Sequence, residues 1–410
     1  MAWEPQQQEL QGPRLTLRVA LVYAHFNFTG SLPRQQVQLA RYLVRAGHEV
    51  HAYSFAATRE PELAPGVHFY DVPASQASTS RLGYALHAAT FARNATRMIS
   101  RNRSAYDAVH GRGMSTWEQD IVHVTGVVSG ERRRDRLSRV GGGENQRLED
   151  ALLPLKAPIV PVRRFIERRI LEDRVPLEIH TSSSFIRDDV LAAYDLDPAR
   201  IHVVPPGVDP GEFYPPADRL AARREVELSE PEPLILFCGH SFKRKGLDRA
   251  VIAMSRMREP ARLVVVGGDD PATYVKLARR LGVEERLQFM GPRTDTWRFF
   301  QAADIFLLPT RVDMWGMTVV EAMATGVPPV TTRSAGAAEV IANEENGFVL
   351  PDPLDVNLLA ATLDRLAADP ELRHRIGQAA KKRAQTLTWD EHCRKVEAAM
   401  RDIAERRAHG

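Results

Sequence analysis

Short apolar runs alternate with amphipathic segments along most of the chain. The first run, at 17–26, contains β-branched residues and predicts a buried strand. Apolar residues then recur at helical spacing from Val37 to Val44, Gly47 ends that segment, and 48–55 predicts the next strand. A strand, a helix and a strand in this order predict a parallel sheet of an α/β fold.

The same alternation continues through the rest of the sequence. Further strands are predicted within 106–113, 120–126 and 176–185. A second series of strands and helices starts at 233–240. Between the two series, 201–216 is dense in Pro and Gly and predicts an interdomain linker.

The length of the chain predicts more than one domain. At 410 residues it exceeds what one ordinary hydrophobic core contains. We predict a poorly ordered lead-in over 1–14, an N-terminal domain over 15–205 and a C-terminal domain over 206–387. Two doubly wound, parallel-sheet, Rossmann-like domains would face each other across a cleft, and ligands bind at the carboxyl ends of such strands.

Composition places the chain among globular proteins, with 44% hydrophobic and 26% charged residues. Cys238 and Cys393 cannot build a disulfide framework and favour a reducing compartment. No apolar run reaches the roughly 20 residues of a membrane span, and 1–14 lacks the apolar core of a signal peptide. We therefore expect a cytoplasmic protein.

Positive charge is concentrated between Arg81 and Arg174, where 18 Arg and Lys face 11 Asp and Glu. The densest clusters are 131–139 and 162–169. A solvated helical face is one interpretation. The other is attraction to an anionic surface, either a phosphorylated acceptor or the acidic lipids on the inner face of the cytoplasmic membrane. Nucleic acid is disfavoured because no recognition motif accompanies the charge.

Two segments join a strand to a helix in a way that suits an anion. In 239–250, Arg244 and Lys245 lie where a phosphate meets helix N–H groups, and together they can neutralise a diphosphate. In 29–34, Gly30 permits close approach of the backbone to an anion. A chance basic loop and an ordinary turn glycine are the alternatives, and no Walker motif is present.

The segment 313–326 places two carboxylates around a turn. Asp313 lies in the loop before a helix, and Glu321 lies one turn into that helix. One carboxylate could accept hydrogen bonds from a ribose and the other from a sugar ring, with the N–H groups of the helix start meeting a phosphate between them. Taken alone the two residues are typical surface acids, but the other two strand-to-helix segments favour a ligand site.

Three motifs, at 244–248, 313–341 and 346–350, resemble the GT4 family of retaining nucleotide-sugar glycosyltransferases, which have the GT-B fold. The segments 163–174 and 201–214 are similar to those of family members that build the lipopolysaccharide core. The resemblance implies two Rossmann-like domains facing across a cleft. It also implies that a final helix, within 388–410, crosses back to the N-terminal domain.

The resemblance also implies roles for individual residues. Arg244 and Lys245 match the pair that binds the donor diphosphate, and Glu321 matches the acid that holds the donor ribose. Asp313 stands where the family usually has Glu beside the transferred sugar. The remaining donor-binding positions that the resemblance implies in this half are Gly239, Arg293, Gly316, Met317 and Thr318.

In the first half, Gly30 matches the first glycine of a pair near the phosphate, and Ser31 replaces the second. The family places a His or an Asp near the sugar. Asp120 matches the lipopolysaccharide-core enzymes and His123 matches the broader family, so both stay candidates for a catalytic role. His110 matches a common strand-end residue and is expected to be structural.

The implied reaction moves a hexosyl group, with UDP-glucose favoured as donor, to a hydroxyl of a glycan or lipid-linked acceptor. Arg244 and Lys245 would stabilise the departing diphosphate, so neither a metal nor another cofactor is implied. A sugar synthase, an epimerase and a non-catalytic nucleotide-sugar-binding subunit are the alternatives. A dehydrogenase is disfavoured, because no G-x-G-x-x-G motif follows the first strand.

Overall fold

The computed structural model describes residues 16–28, 30–60, 62, 64–75, 81–127, 159–173, 176–228 and 231–409. The predicted lead-in and the basic cluster at 131–139 lie outside them. The chain divides into two compact units, one formed by 1–205 with 389–410 and the other by 206–388.

The first unit contains a parallel sheet with strand order β3–β2–β1–β4–β5–β6–β7. Its strands are β1 (Arg18–Val22), β2 (Glu49–Ser54), β3 (His68–Asp71), β4 (Ala108–Arg112), β5 (Ile121–Val124), β6 (Glu178–Thr181) and β7 (Ile201–Val203). The helices before the second unit are α1 (Ser31–Arg45), α2 (Arg81–Arg101), α3 (Ile159–Arg168, continued by a π-helical turn to Asp173) and α4 (Ser184–Ala193).

The second unit contains a parallel sheet with strand order β10–β9–β8–β11–β12–β13. Its strands are β8 (Leu234–Cys238), β9 (Arg262–Val266), β10 (Leu287–Gly291), β11 (Ile305–Leu308), β12 (Pro329–Thr332) and β13 (Phe348–Leu350). Its helices are α5 (Arg219–Glu225), α6 (Phe242–Lys245), α7 (Leu247–Arg256), α8 (Ala272–Arg280), α9 (Thr296–Ala302), α10 (Met317–Ala324), α11 (Val356–Ala368) and α12 (Pro370–Ala384).

Both sheets are covered by helices on two faces, which explains why their central strands are continuous apolar runs. In β1, Val19 and Leu21 belong to the core that includes α1, whereas Ala20 and Val22 belong to the core that includes Phe91 of α2. Successive side chains of a strand point to opposite faces, so the two cores lie on opposite sides of one sheet. The parallel α/β architecture expected from the sequence is confirmed in each unit.

Two predicted boundaries need correction. The linker predicted at 201–216 begins too early, because Ile201–Val203 forms β7 and pairs with β6 before the chain leaves the first unit. The helix predicted over 245–257 is divided at Gly246, whose φ of 83° breaks the helical path between α6 and α7.

The final helix, α13 (Trp389–His409), packs in the first unit. Val396, Met400 and Ile403 are fully buried and join the core of β1 and α1. Glu397 of the same helix accepts a hydrogen bond from Tyr42 of α1 at 2.8 Å. The helix therefore completes one face of the first sheet. Among the described helices, none is both long and apolar enough to cross a membrane.

We predict that Met400→Ala destabilises the first unit by about 2–5 kcal/mol, because it removes a buried side chain from a core that cannot fully collapse. Hydrogen exchange measured by mass spectrometry should become faster in β1 and stay unchanged in β8. Lys395→Ala on the exposed face of the same helix is the matched control. Equal protection of β1 in the two variants would show that α13 does not stabilise this sheet.

Candidate active site

Two loops meet at the carboxyl edge of the second sheet. One follows β8 and contains α6, and the other follows β11 and leads into α10. β8 and β11 are neighbouring parallel strands, with Ile235 opposite Ile305. Because parallel neighbours end at the same edge of a sheet, side chains 68 residues apart in sequence come together there.

A carboxylate and two cationic groups form the centre of this edge. The Lys245 ammonium donates a hydrogen bond to Asp313 Oδ2 at 2.9 Å, and Arg244 Nη1 lies 3.4 Å from the same oxygen. The side chains of Lys245 and Asp313 are only 10% and 14% exposed, whereas Arg244 is 41% exposed. Burial disfavours the charged form of Asp313, but Lys245 and Arg244 hold the pKa of its carboxyl below the usual range. The three groups therefore form an ion cluster with a net positive charge.

Glycines permit this close packing. Gly239 ends the β8 segment at φ 138°, and a Cβ there would lie 2.6 Å from Cε of Lys245. Gly246 has φ 83°, and a Cβ there would lie 2.0 Å from the carbonyl oxygen of Pro309. The first glycine lets the lysine stem lie against the strand end. The second lets the basic loop touch the end of the β11 segment.

The start of α10 lies in the loop that carries Asp313. Gly316 precedes the helix in the left-handed conformation, with φ 91°, and no side chain caps the helix. The hydroxyl of Thr318 and the indole N–H of Trp315 are buried, and neither makes a hydrogen bond within the described part of the chain. A helix that starts at Met317 without a side-chain cap and with a buried, unpartnered hydroxyl suits an anionic, oxygen-rich ligand.

Glu321 is buried in the second turn of α10, with 8% exposure. Its carboxylate and the Lys245 ammonium both act on the thiol of Cys238 at the end of β8. Burial, and after it Glu321, raise the pKa of that thiol to about 12, while Lys245 opposes the rise. The structure thus brings together four residues identified from the sequence, namely Arg244, Lys245, Asp313 and Glu321.

Two other features of this unit concern the predicted donor site. The backbone N–H groups of Ser241 and Phe242 donate to the carboxylate of Asp269, at 3.1 Å and 2.7 Å. These two amides of α6 already donate to a carboxylate. An anion at the basic loop would therefore bind mainly to the side chains of the loop and not to the N–H groups of α6. Arg293 makes a two-pronged ion pair with Asp295, with both bonds at 2.8 Å.

Gly30 and Ser31 lie in the first unit, at the start of α1. Gly30 has φ 93°, and no atom of the described residues lies within 4 Å of the position that a Cβ would take. Ser31 is exposed, and no side-chain cap is formed. Leu32, the next residue, lines a cavity of about 180 Å³ at the carboxyl ends of β1, β4 and β5. The backbone at the start of α1 is therefore open at Gly30.

Polar groups line the same cavity. They include His25 and His87, whose rings stack with centroids 6.2 Å apart, and Arg163 and Glu167 of α3. Burial, and then the neighbouring His87, lower the pKa of His25. The two histidines were not identified from the sequence, because they lie far apart along the chain and no motif marks them.

Asp120 lies at the amino end of β5, away from the strand ends that line the cavity. Arg103 donates to both of its carboxylate oxygens, at 2.8 Å and 2.7 Å, and Arg407 of α13 donates at 2.6 Å. The Val109 amide adds a fourth bond. This geometry contradicts the catalytic role considered for Asp120 and indicates that it anchors the final helix to the sheet.

His123 also lies away from the cavity. Val122 and Val124 of β5 line the cavity, so the alternation of side chains sends His123 to the opposite face. There its ring is fully buried, 5.9 Å between centroids from His392 of α13. This orientation contradicts the catalytic role considered for His123. His110, expected to be structural, is buried on the same face.

Comparison with known proteins identifies the family. The family model of glycosyltransferase family 4 matches residues 34–212, and that of the group 1 glycosyl transferases matches residues 218–383. Together they cover most of the chain, and the fold agrees. The chain belongs to the GT-B glycosyltransferases.

Two related proteins are described as D-inositol 3-phosphate glycosyltransferases. The protein of Corynebacterium efficiens is 33% identical over 57% of each chain. The protein of Xylanimonas cellulosilytica is 29% identical over 90% of this chain and 89% of its own. The second alignment includes both units.

Solved structures share the fold of this glycosyltransferase. WaaG, a glycosyltransferase involved in lipopolysaccharide biosynthesis, has a TM-score of 0.74 at 23% identity, covering 92% of this chain and 98% of its own. Sucrose-phosphate synthase of Thermosynechococcus elongatus also has 0.74, at 20% identity and coverages of 94% and 99%. HepE of Anabaena, in complex with UDP and glucose, has 0.67 at 16% identity, with coverages of 94% and 100%.

We predict that Gly246→Ala separates the two loops of this glycosyltransferase. The new Cβ clashes with a backbone carbonyl. The free energy of unfolding should therefore fall by about 1–3 kcal/mol beyond the cost of placing an alanine in the left-handed conformation. Gly282→Ala is the matched control, because its φ is 72° and the described part of the chain places no atom within 4 Å of the added Cβ. Urea unfolding monitored in the second unit measures the difference. Equal destabilisation would show that the contact with Pro309 does not hold the loops together.

Proposed function

We propose that the chain transfers a hexosyl group from a nucleoside-diphosphate sugar, with UDP-glucose favoured, to an acceptor hydroxyl with retention of anomeric configuration. The observation that carries this proposal is the ion cluster beside the uncapped start of α10. Its excess positive charge suits a diphosphate. HepE, which shares the fold, has a crystal structure in complex with UDP and glucose, and this supports a nucleotide-sugar ligand for the present chain.

In the proposed mechanism, the bond between the anomeric carbon and the diphosphate oxygen breaks while a bond to the acceptor oxygen forms on the same face. The leaving oxygen takes the acceptor proton. Arg244 and Lys245 stabilise the negative charge that develops on the diphosphate. Glu321 accepts hydrogen bonds from the ribose, and Asp313 keeps Lys245 in place beside the sugar.

We assign the cavity of the first unit to the acceptor. It lies beside the start of α1, and His25, His87 and Arg163 give it hydrogen-bonding groups. A glycan or lipid-linked acceptor is our first proposal, since WaaG, which shares the fold, is described as acting in lipopolysaccharide biosynthesis. A phosphorylated cyclitol is the second, because the related sequences are described as D-inositol 3-phosphate glycosyltransferases.

Assays of UDP-glucose turnover with a lipid-linked saccharide and with D-inositol 3-phosphate, run in parallel, separate these acceptors. Product with either one, with the anomeric configuration of the donor, supports transfer. Release of free glucose alone, with no product from either acceptor, contradicts it.

Calorimetric titration with UDP and with pyrophosphate tests the donor site. We expect Glu321→Gln to weaken UDP binding about tenfold and to leave pyrophosphate binding unchanged, because only UDP carries a ribose for the carboxylate. Lys245→Ala should weaken both ligands by at least about tenfold, since it removes a charge-assisted bond to phosphate. Lys276→Ala, an exposed change of the same charge in α8, is the control.

A uniform effect of Glu321→Gln on UDP and pyrophosphate would contradict the assignment of this residue to the ribose. Unchanged pyrophosphate binding in Lys245→Ala would contradict the diphosphate site itself.

We also propose that α3 attaches the protein reversibly to anionic membrane. Its buried side includes Ile166, while Phe165 is 58% exposed and has exposed arginines on either side, at 164 and 168. An apolar ring surrounded by basic residues is typical of helices that lie at a lipid interface. The predicted partner is thus the inner surface of the cytoplasmic membrane.

Flotation with vesicles that contain phosphatidylglycerol tests the attachment. We expect binding at low salt, loss at high salt, and about tenfold weaker binding for Phe165→Ser, since a buried aromatic ring contributes about 1.5–3 kcal/mol. Leu220→Ser is a matched control, because Leu220 of α5 is also 58% exposed. Failure to float at low salt, or equal loss in both variants, would contradict the role of α3.

A further inference from the structure

Three buried histidines lie side by side on neighbouring strands of the first unit. They are His110 of β4, His123 of β5 and His180 of β6. His123 and His180 are directly opposite in the strand register. One ring nitrogen from each of the three lies within 4.8 Å of those from the other two. We call these three residues the histidine cluster.

The histidine cluster lacks the hydrogen bonds that buried imidazoles normally make. Its members are 0%, 0% and 1% exposed. Within the described part of the chain, both ring nitrogens of His110 and of His123, and Nδ1 of His180, have no hydrogen-bond partner. An unsatisfied buried polar group costs about 1–3 kcal/mol, so unpartnered nitrogens on all three rings call for a ligand that binds one nitrogen of each.

The residues around the cluster orient its rings as metal sites do. Nε2 of His180 lies 3.3 Å from the buried carboxylate of Glu178, which leaves Nδ1 as the nitrogen without a partner among the described residues. A carboxylate that accepts from one imidazole nitrogen while the other binds metal is the usual outer-shell arrangement. His392 of α13 has a similar arrangement, because its Nδ1 bonds the Pro205 carbonyl at 2.9 Å and its Nε2 is buried without a partner among the described residues.

The chemistry of the donor set favours a particular class of ion. Neutral imidazole suits zinc and similar divalent transition metals, whereas magnesium and calcium prefer oxygen. The buried Arg112 guanidinium of β4 disfavours an added cation nearby, and the Glu178 carboxylate on the β6 side offsets that effect.

We propose that His110, His123 and His180 bind one divalent transition-metal ion of the zinc class. Zn–N bonds of about 2.0–2.1 Å in tetrahedral geometry require nitrogens about 3.4 Å apart, so the rings close around the ion by small rotations. Three ligands from three adjacent strands fasten β4, β5 and β6 together. The ion has a structural role in the first unit and takes no part in sugar transfer.

Metal analysis of the full-length chain tests the proposal. The protein is expressed with added zinc, freed of any affinity tag and desalted. We expect about one zinc per chain by mass spectrometry, and X-ray absorption at the zinc edge should show histidine nitrogen ligands. His180→Asn should lose the ion, whereas His202→Asn, which changes the partly exposed histidine opposite His180 on β7, should retain it.

A second variant covers the case in which His180→Asn does not fold. Glu178→Gln keeps all three ligands and should weaken zinc binding about 10- to 100-fold through loss of the orienting carboxylate. Titration of the metal-free protein with Co²⁺, followed by its visible absorption, measures this change in a folded chain. UDP binding by the same samples should be unaffected, which keeps the result independent of the proposed function.

Absence of zinc after desalting, together with no Co²⁺ absorption from the metal-free chain, would overturn the proposal. Zinc bound only through oxygen or sulfur ligands would overturn it as well.

Discussion

The ion pair between Lys245 and Asp313 is the interaction on which the geometry of the second unit's site depends. Its members come from loops 68 residues apart, and both side chains are nearly excluded from water. Removing one partner of such a pair leaves the other as a buried, uncompensated charge. The cost of separating the two loops is therefore larger than the net contribution of the pair to the free energy of unfolding. A second pair, Arg311 with Asp248, joins the loop after β11 to the first turn of α7.

The ratio of charges in this ion cluster explains how it can be stable and still bind an anion. One carboxylate serves two cations, so the cluster keeps an excess positive charge. Lys245 is held inside, while Arg244 is partly exposed and donates through Nη1 to the Val312 carbonyl at 2.8 Å. The guanidinium has five N–H donors, so one backbone bond leaves it further capacity toward a phosphate. Glycines at 239 and 246 are required because any side chain there would occupy the space of the lysine stem or of the Pro309 carbonyl.

Much of the fold could be predicted from the sequence, because strands buried on both faces appear as apolar runs separated by amphipathic helices. β3 was missed for the converse reason: it lies at the sheet edge, its residues are mostly exposed, and it has no apolar run. In the second unit, motifs that directly follow neighbouring parallel strands must lie at the same edge of the sheet. Arg244, Lys245, Asp313 and Glu321 could therefore be assigned to one site from the sequence.

The first unit was harder to predict, since the decisive information is the direction of each side chain and the identity of distant partners. Asp120 lies directly before β5 and accepts a hydrogen bond from Arg407, which is 287 residues later in the chain. His123 differs from its cavity-lining neighbours only by the alternation of β5. Neither fact follows from a motif.

Two buried cations, one in each unit, have different kinds of partner, and the difference bears on the histidine cluster. In the second unit the buried Lys245 has a carboxylate within hydrogen-bond distance. In the first, the buried Arg112 guanidinium donates to the neutral amide oxygen of Gln35 at 2.8 Å, and burial lowers the pKa of its side chain to about 10. An added cation nearby is stable only where a negative group is close. Glu178 is that group, because its carboxylate lies 3.3 Å from Nε2 of His180. The carboxylate thus both orients one ring and supplies the charge that the cluster needs.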